Sequence, residues 1–146
     1  MRAVKQFEEF INERIVKKQK PDISRAKYLL AEAKRAYDLL LFKIEKLEVS
    51  DNTANDLIKS CYDILMELIR AKMLSEGLNA SGFGAHEAEV SYMRLLGFRE
   101  KEVQILDQLR YFRNGILYYG KSFDEEYAEK IIGFTKRIYQ KLMDED

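Results

Sequence analysis

An all-α bundle is the fold class that this 146-residue sequence predicts. Three observations predict it. Apolar residues recur at intervals of three and four over most of the chain, which places them on one side of a helix. A single proline, and glycines that cluster after residue 76, leave few points where a helix must stop. No stretch shows the alternation of a half-buried strand that would be worth defending. The composition, 47% hydrophobic and 34% charged, suits one ordered domain over residues 1–146 that buries its core without disulfides.

The elements follow in order. Val4, Phe7, Phe10 or Ile11, and Ile15 repeat at helical spacing, and Pro21 closes that segment, so residues 1–20 predict a first, additional helix. A second helix runs from about Ser24 to Lys46, with Ala26, Leu29, Leu30, Ala33, Tyr37, Leu40, Leu41 and Ile44 on its inner stripe. After the polar break at Ser50 to Thr53 comes the most apolar helix, about Ala54 to Glu76, whose wide stripe predicts a central position. GLNASGFGAHE then reads as a flexible loop, followed by a short helix from Ala85 to Leu96 stopped by Gly97. A fifth helix covers Glu100 to Tyr119. The last begins at a capping box, Ser122 to Glu125, and continues through Tyr127, Ile131, Phe134, Ile138 and Leu142. Short connections make this an antiparallel up-and-down bundle of four to five core helices over 24–142.

Several function classes drop out. Formal net charge is zero, so no global field draws nucleic acid or an anionic membrane. The densest basic run, Arg14 to Lys20 (RIVKKQK), reads as a solvated helix end, with a phosphate-contacting patch as the alternative. The one cysteine, Cys61, sits among apolar neighbours and reads as a small buried hydrophobe. No Cys/His cluster has zinc spacing, and no metal or cofactor is expected. GLNASGFGAH lacks the lysine of a phosphate-cradling loop. The charged N-terminus has no signal-peptide core and no apolar run is long enough to span a membrane, so the expected compartment is the cytoplasm.

One stretch stands apart: RYFRNGILYYGKSF, Arg110 to Phe123. On a helical wheel Ile105, Leu109, Phe112, Ile116 and Tyr119 form an arc of roughly 80°, the expected core face. Arg110, Asn114 and Tyr118 follow at i, i+4 and i+8 on another face, with Arg113 and Leu117 beside them and Leu106 one turn earlier. Arginine suits a half-desolvated seam because its planar fork makes paired hydrogen bonds to carboxylate or phosphate. The bland alternative pairs Arg110 with Asp107 and leaves Arg113 snorkelling and Asn114 in water.

The chain resembles the HEPN superfamily. The resemblance is carried by YLLAEAKRAYDLL (Tyr28 to Leu40), the long helix NDLIKSCYDILMELIRAKMLSEGL (Asn55 to Leu78), the histidine-bearing GFGAHEAEV, and Arg113-Asn114 followed by Tyr118 on the penultimate helix. It implies a two-fold homodimer whose arginine motifs face each other across a cleft. It also implies RNA or nucleotide phosphate as ligand, metal-independent endoribonuclease activity in active members, and a toxin–antitoxin-type pairing with a small nucleotidyltransferase. The site residues it implies are Arg113, Asn114 and Tyr118 for chemistry and Arg110, Tyr111 and His86 for binding.

One departure matters. Tyr118 stands where cleaving members carry histidine, and a phenol that ionises near pH ~10 is a poor base at neutrality. The expectation is therefore an RNA- or nucleotide-binding subunit with attenuated or absent RNase activity. The alternative is a non-catalytic helical interaction module whose Arg/Asn seam fixes the register of a protein interface.

Overall fold

The computed structural model describes residues 3–119 and 122–144, the side chains of 116–119 excepted. Its described residues form six α-helices, one 3-10 turn and one two-stranded sheet, an all-α bundle as the periodicity predicts. The helices are α1 (Phe7–Asn12), α2 (Ile23–Leu47), α3 (Ala54–Ser75), α4 (Ala85–Ser91), α5 (Glu100–Tyr119) and α6 (Glu125–Asp144). The strands are β1 (Val16–Lys18) and β2 (Leu78–Ala80).

The N-terminal twenty residues are not one helix. Gln6 and Glu9 cap α1 reciprocally, but the helix stops at Asn12 because Arg14 adopts a left-handed backbone (φ 61) and turns the chain back. Residues 16–18 then pair antiparallel with 78–80, Val16 opposite Ala80 and Lys18 opposite Leu78. The expected strand-free chain and the expected loop at 77–86 are both corrected by this pairing. Two flanking bonds extend it: Gln19 N–H donates to Gly77 O at 2.8 Å and Ser81 N–H to Ile15 O at 3.0 Å. Nor is the N-terminus an appendage. Val4, Phe7 and Phe10 are buried, and Arg94, in the 3-10 turn Tyr92–Arg94, donates to Val4 O and Lys5 O while forking onto Glu100.

Helix α3 is central, as its wide apolar stripe predicts. Leu57, Ile58, Cys61, Ile64, Leu65, Leu68, Ile69 and Met73 are all almost fully buried, and α2, α5 and α6 pack around them. Cys61 lies wholly inside, where burial pushes its thiol up to about 11, so it is not a nucleophile. Tyr37 of α2 and Tyr139 of α6 stack face to face, with ring centroids 3.7 Å apart. Asp22 caps α2 by accepting the Arg25 N–H.

The cap of α6 differs from expectation. Asp124, not Ser122, accepts the N–H of Tyr127 at 2.8 Å, because the helix begins at Glu125 and Ser122 lies two residues too early. The approach to α6 is pinned by the N-terminal end of α3: Asp51 accepts the Glu125 N–H and Asn55 the Phe123 N–H, both at 2.8 Å. Among the described residues no helix is long and apolar enough to cross a membrane.

Gly77 is the most constrained residue of the strand pair. It has φ 76, and a Cβ there would lie 2.3 Å from the carbonyl oxygen of Gln19, a residue whose own N–H is held in the pairing. Gly77→Ala therefore lowers stability by more than about 3 kcal/mol, from the left-handed backbone and the clash together. Gly97→Ala, with φ 91 but nothing near its Cβ, costs only about 1–2 kcal/mol. Denaturant unfolding of the two variants checks the difference.

Candidate functional site

The functional geometry begins with spacing on α3. Tyr62, Met66 and Arg70 follow at i, i+4 and i+8, and Asp63 and Glu67 lie beside them, so five side chains share one edge of the central helix. Opposite that edge stand His86, on α4, and Arg113 and Asn114, on α5. Together these eight residues line an open cleft of about 420 Å³.

Glu89 lies behind the cleft wall, bonded to both His86 and Arg70. Its carboxylate is almost fully buried, and Arg70 grips it with a two-pronged contact, Nε to Oε2 at 2.7 Å and Nη2 to Oε1 at 3.0 Å. His86 Nδ1 meets Oε1 at 3.2 Å from one turn earlier on the same helix. Burial pushes the Glu89 carboxyl up, but the hydrogen bonds from His86 and Arg70 outweigh it and hold the group below the usual carboxylate range. Glu89 is therefore an anion. Nδ1–H donates to it, so the neutral ring has its lone pair on Nε2, and the ring is mostly solvent-accessible at the cleft rim.

The other charges are less tightly held. Arg113 Nε reaches Asp63 Oδ1 at 3.4 Å, a long contact for an ion pair. Glu67 is raised by burial, then by repulsion from Glu32 and Asp63, with Arg70 pulling the other way. Among the described residues, two arginines and two carboxylates thus line the cleft, and their formal charges balance.

The sequence-derived site is brought together in part. His86, Arg113 and Asn114 share the cleft, although His86 lies far from the arginine motif in sequence. Arg110 does not line it: its Nε is bonded to the buried Asp107 at 2.8 Å, and its guanidinium lies over the Tyr111 ring, which is exposed. The side chain of Tyr118 lies outside the described residues, as do those of Ile116, Leu117 and Tyr119. The phase of α5 also differs from the wheel. Val103, Leu106, Asp107 and Leu109 are buried, whereas Ile105 and Phe112 are half-buried, so the core face is turned toward Arg110 and Leu106 belongs to it.

Arg70 and Glu89 had not been singled out from the sequence. A local signal existed: His86 and Glu89 at i, i+3, the spacing at which a carboxylate orients an imidazole. Compared with protein-family models, curated proteins and solved structures, the chain gives no match.

Removing Arg70 strands a buried carboxylate. Arg70→Ala costs about 3 kcal/mol, or roughly 10 °C in Tm, measured by thermal unfolding at neutral pH. The pH dependence follows from the lowered folded-state value of Glu89. Its contribution is complete above the unfolded carboxyl value of about 4.3 and is lost as pH falls through the lower folded value. Glu89→Gln lacks that component, so its stability falls less steeply below pH ~4.3 than that of the unaltered protein.

Proposed function

We propose that the cleft binds RNA at its phosphodiester backbone and cleaves it slowly without metal, with His86 rather than Tyr118 moving the proton. One observation carries the reading. A histidine is oriented by a buried, arginine-clamped carboxylate at the rim of the cleft that also contains Arg113 and Asn114. In this reading Arg113 leaves its loose contact with Asp63 for a phosphate oxygen, and Asn114 donates a second hydrogen bond. His86 Nε2 takes the 2′-hydroxyl proton as that oxygen attacks phosphorus. The P–O5′ bond breaks, water protonates the departing 5′ oxygen, and a 2′,3′-cyclic phosphate remains. With a single imidazole doing one of two proton transfers, the rate is low. The resemblance to HEPN proteins, with a nucleotidyltransferase partner in a toxin–antitoxin-type unit, belongs to the same proposal.

The balanced charge of the cleft shapes what binding looks like. One cation, Arg113, contacting single-stranded RNA gives a log–log salt slope of only about −0.7, far shallower than a basic groove would give. The same balance favours the rival reading, a protein-interaction module in which Arg113 and Asp63 only set register.

Labelled single-stranded RNA, titrated and incubated in EDTA, separates the two. Under the proposed function, Arg113→Ala weakens binding tenfold or more, and His86→Ala keeps binding but slows cleavage at least ~100-fold, the lower end of what a proton-transferring group contributes. Absence of any RNA affinity at low salt would sink the proposal. A change in molecular mass of Arg113→Ala, with no RNA affinity to lose, would establish the rival.

A further inference from the structure

Helix α2 buries one side and leaves the other apolar as well as exposed. Ala26, Ala33 and Leu40 are buried against the bundle. On the opposite side Tyr28, Leu39 and Phe42 are 61%, 54% and 55% exposed, with Ala31 also in solvent among them. Tyr28, Arg35 and Phe42 are spaced by seven, and Glu32, Leu39 and Lys46 follow the same repeat, which is the seam of a helix that packs lengthwise against another. A solvated face would not place three large apolar groups in one row.

The charges flanking that row identify the occupant. Lys27, Lys34, Asp38 and Glu45 lie along one flank, all exposed, and their order from the N-terminal end is plus, plus, minus, minus. Two copies of such a helix placed parallel turn this flank toward the opposite flank of the partner, so its charges do not meet their own counterparts. Placed antiparallel, they oppose Lys27 to Glu45 and Lys34 to Asp38, twice over. Same-flank residues face each other in antiparallel helix pairs, so this flank is complementary to itself. The register that pairs the charges sets a two-fold axis near Arg35 and Ala36. The apolar pairs Tyr28–Phe42 and Ala31–Leu39 are centred one residue away, on Arg35, so the same register sets them side by side with an offset of about 3 Å. Arg35, at the axis, is neutralised by Glu32 of its own chain. Lys34 and Asp38 are already paired at 3.0 Å within one chain, and the second copy would extend this to a four-charge cluster.

We infer that the outer face of α2 is the surface on which a second copy of this chain docks, antiparallel, about a two-fold axis at Arg35–Ala36. The inference rests on α2 alone and stands whether or not the cleft binds RNA. It assigns self-pairing to a helix other than the arginine helix α5.

Sedimentation and light scattering on the full chain, with oxidative cross-linking, provide the test. The unaltered protein should show a concentration-dependent species of twice 17.2 kDa. The Leu39→Glu/Phe42→Glu variant, altered only at exposed positions, should keep its helical circular dichroism and run as a monomer. Lys27→Glu should weaken the dimer at least tenfold, and adding Glu45→Lys should restore it. Arg35→Cys should cross-link to itself under mild oxidant, since Cys61 is buried and does not compete. A monomeric unaltered protein, a dimer indifferent to Leu39→Glu/Phe42→Glu, or a charge swap without rescue would each overturn the inference. RNA affinity retained by the monomeric variant leaves the cleft reading intact, so the two failures are distinguishable.

Discussion

A carboxylate excluded from water must be met by donors on nearly every side, and Glu89 imposes that condition on everything around it. Left alone at almost complete burial, it would take up a proton or unfold its surroundings. Arg70 satisfies it with both prongs of a guanidinium, which fixes the distance and the roll of α3 against α4. His86 shares Oε1 with the second of those prongs, which fixes the plane of the imidazole. The cleft is therefore a by-product of neutralising one acid. Once α3 is rolled so that Arg70 faces α4, Met66 and Tyr62 on the same row, with Asp63 and Glu67 alongside, must face the same space. Arg113 and Asn114 enter it from α5 because Leu106 and Leu109 hold that helix against the core.

The bundle was legible in the sequence wherever burial is one-sided and sustained. The long helices α2, α3, α5 and α6 repeat their apolar positions over several turns, so their existence, and the central place of α3, followed from periodicity. The strand pair did not. Val16 is the single buried residue of a three-residue strand, and its partner lies some sixty positions away, so no local pattern could mark it. Arg14 compounded this, because nothing in FINERIV marks a left-handed residue that would divide one apparent helix into a helix and a strand. The α6 start was misplaced by a competition between two good caps three residues before different helical turns, Ser122 and Asp124, which tertiary contacts from Asp51 and Asn55 resolve.

The site was legible as residue types and not as geometry. Arg113, Asn114 and His86 stood out as polar groups at odd places, and they do share a cleft. A wheel ranks residues by hydrophobicity, and it therefore turned α5 away from Arg110. The structure buries Asp107 and half-buries Arg110 as one neutral unit, the pairing that the sequence offered as the bland alternative for Arg110. The same blindness hid Arg70 and Glu89. Each alone belongs at a surface; as a pair they can sit inside, and only the fold shows that they are a pair.

Charge balance gives the cleft a character that the arginines alone do not suggest. A groove selected for bulk attraction to a polyanion would leave its cations unopposed, since counterion release grows with every unpaired one. Here Arg70 is committed to Glu89, Arg110 to Asp107, and only Arg113 is loosely held, at 3.4 Å from Asp63. Recognition through such a site works by exchange of one weak internal partner for a better external one, in which position matters more than field. Glu67 extends the argument toward α2. After burial, the largest influence raising its carboxyl is Glu32, which sits on the flank of α2 beside the apolar row.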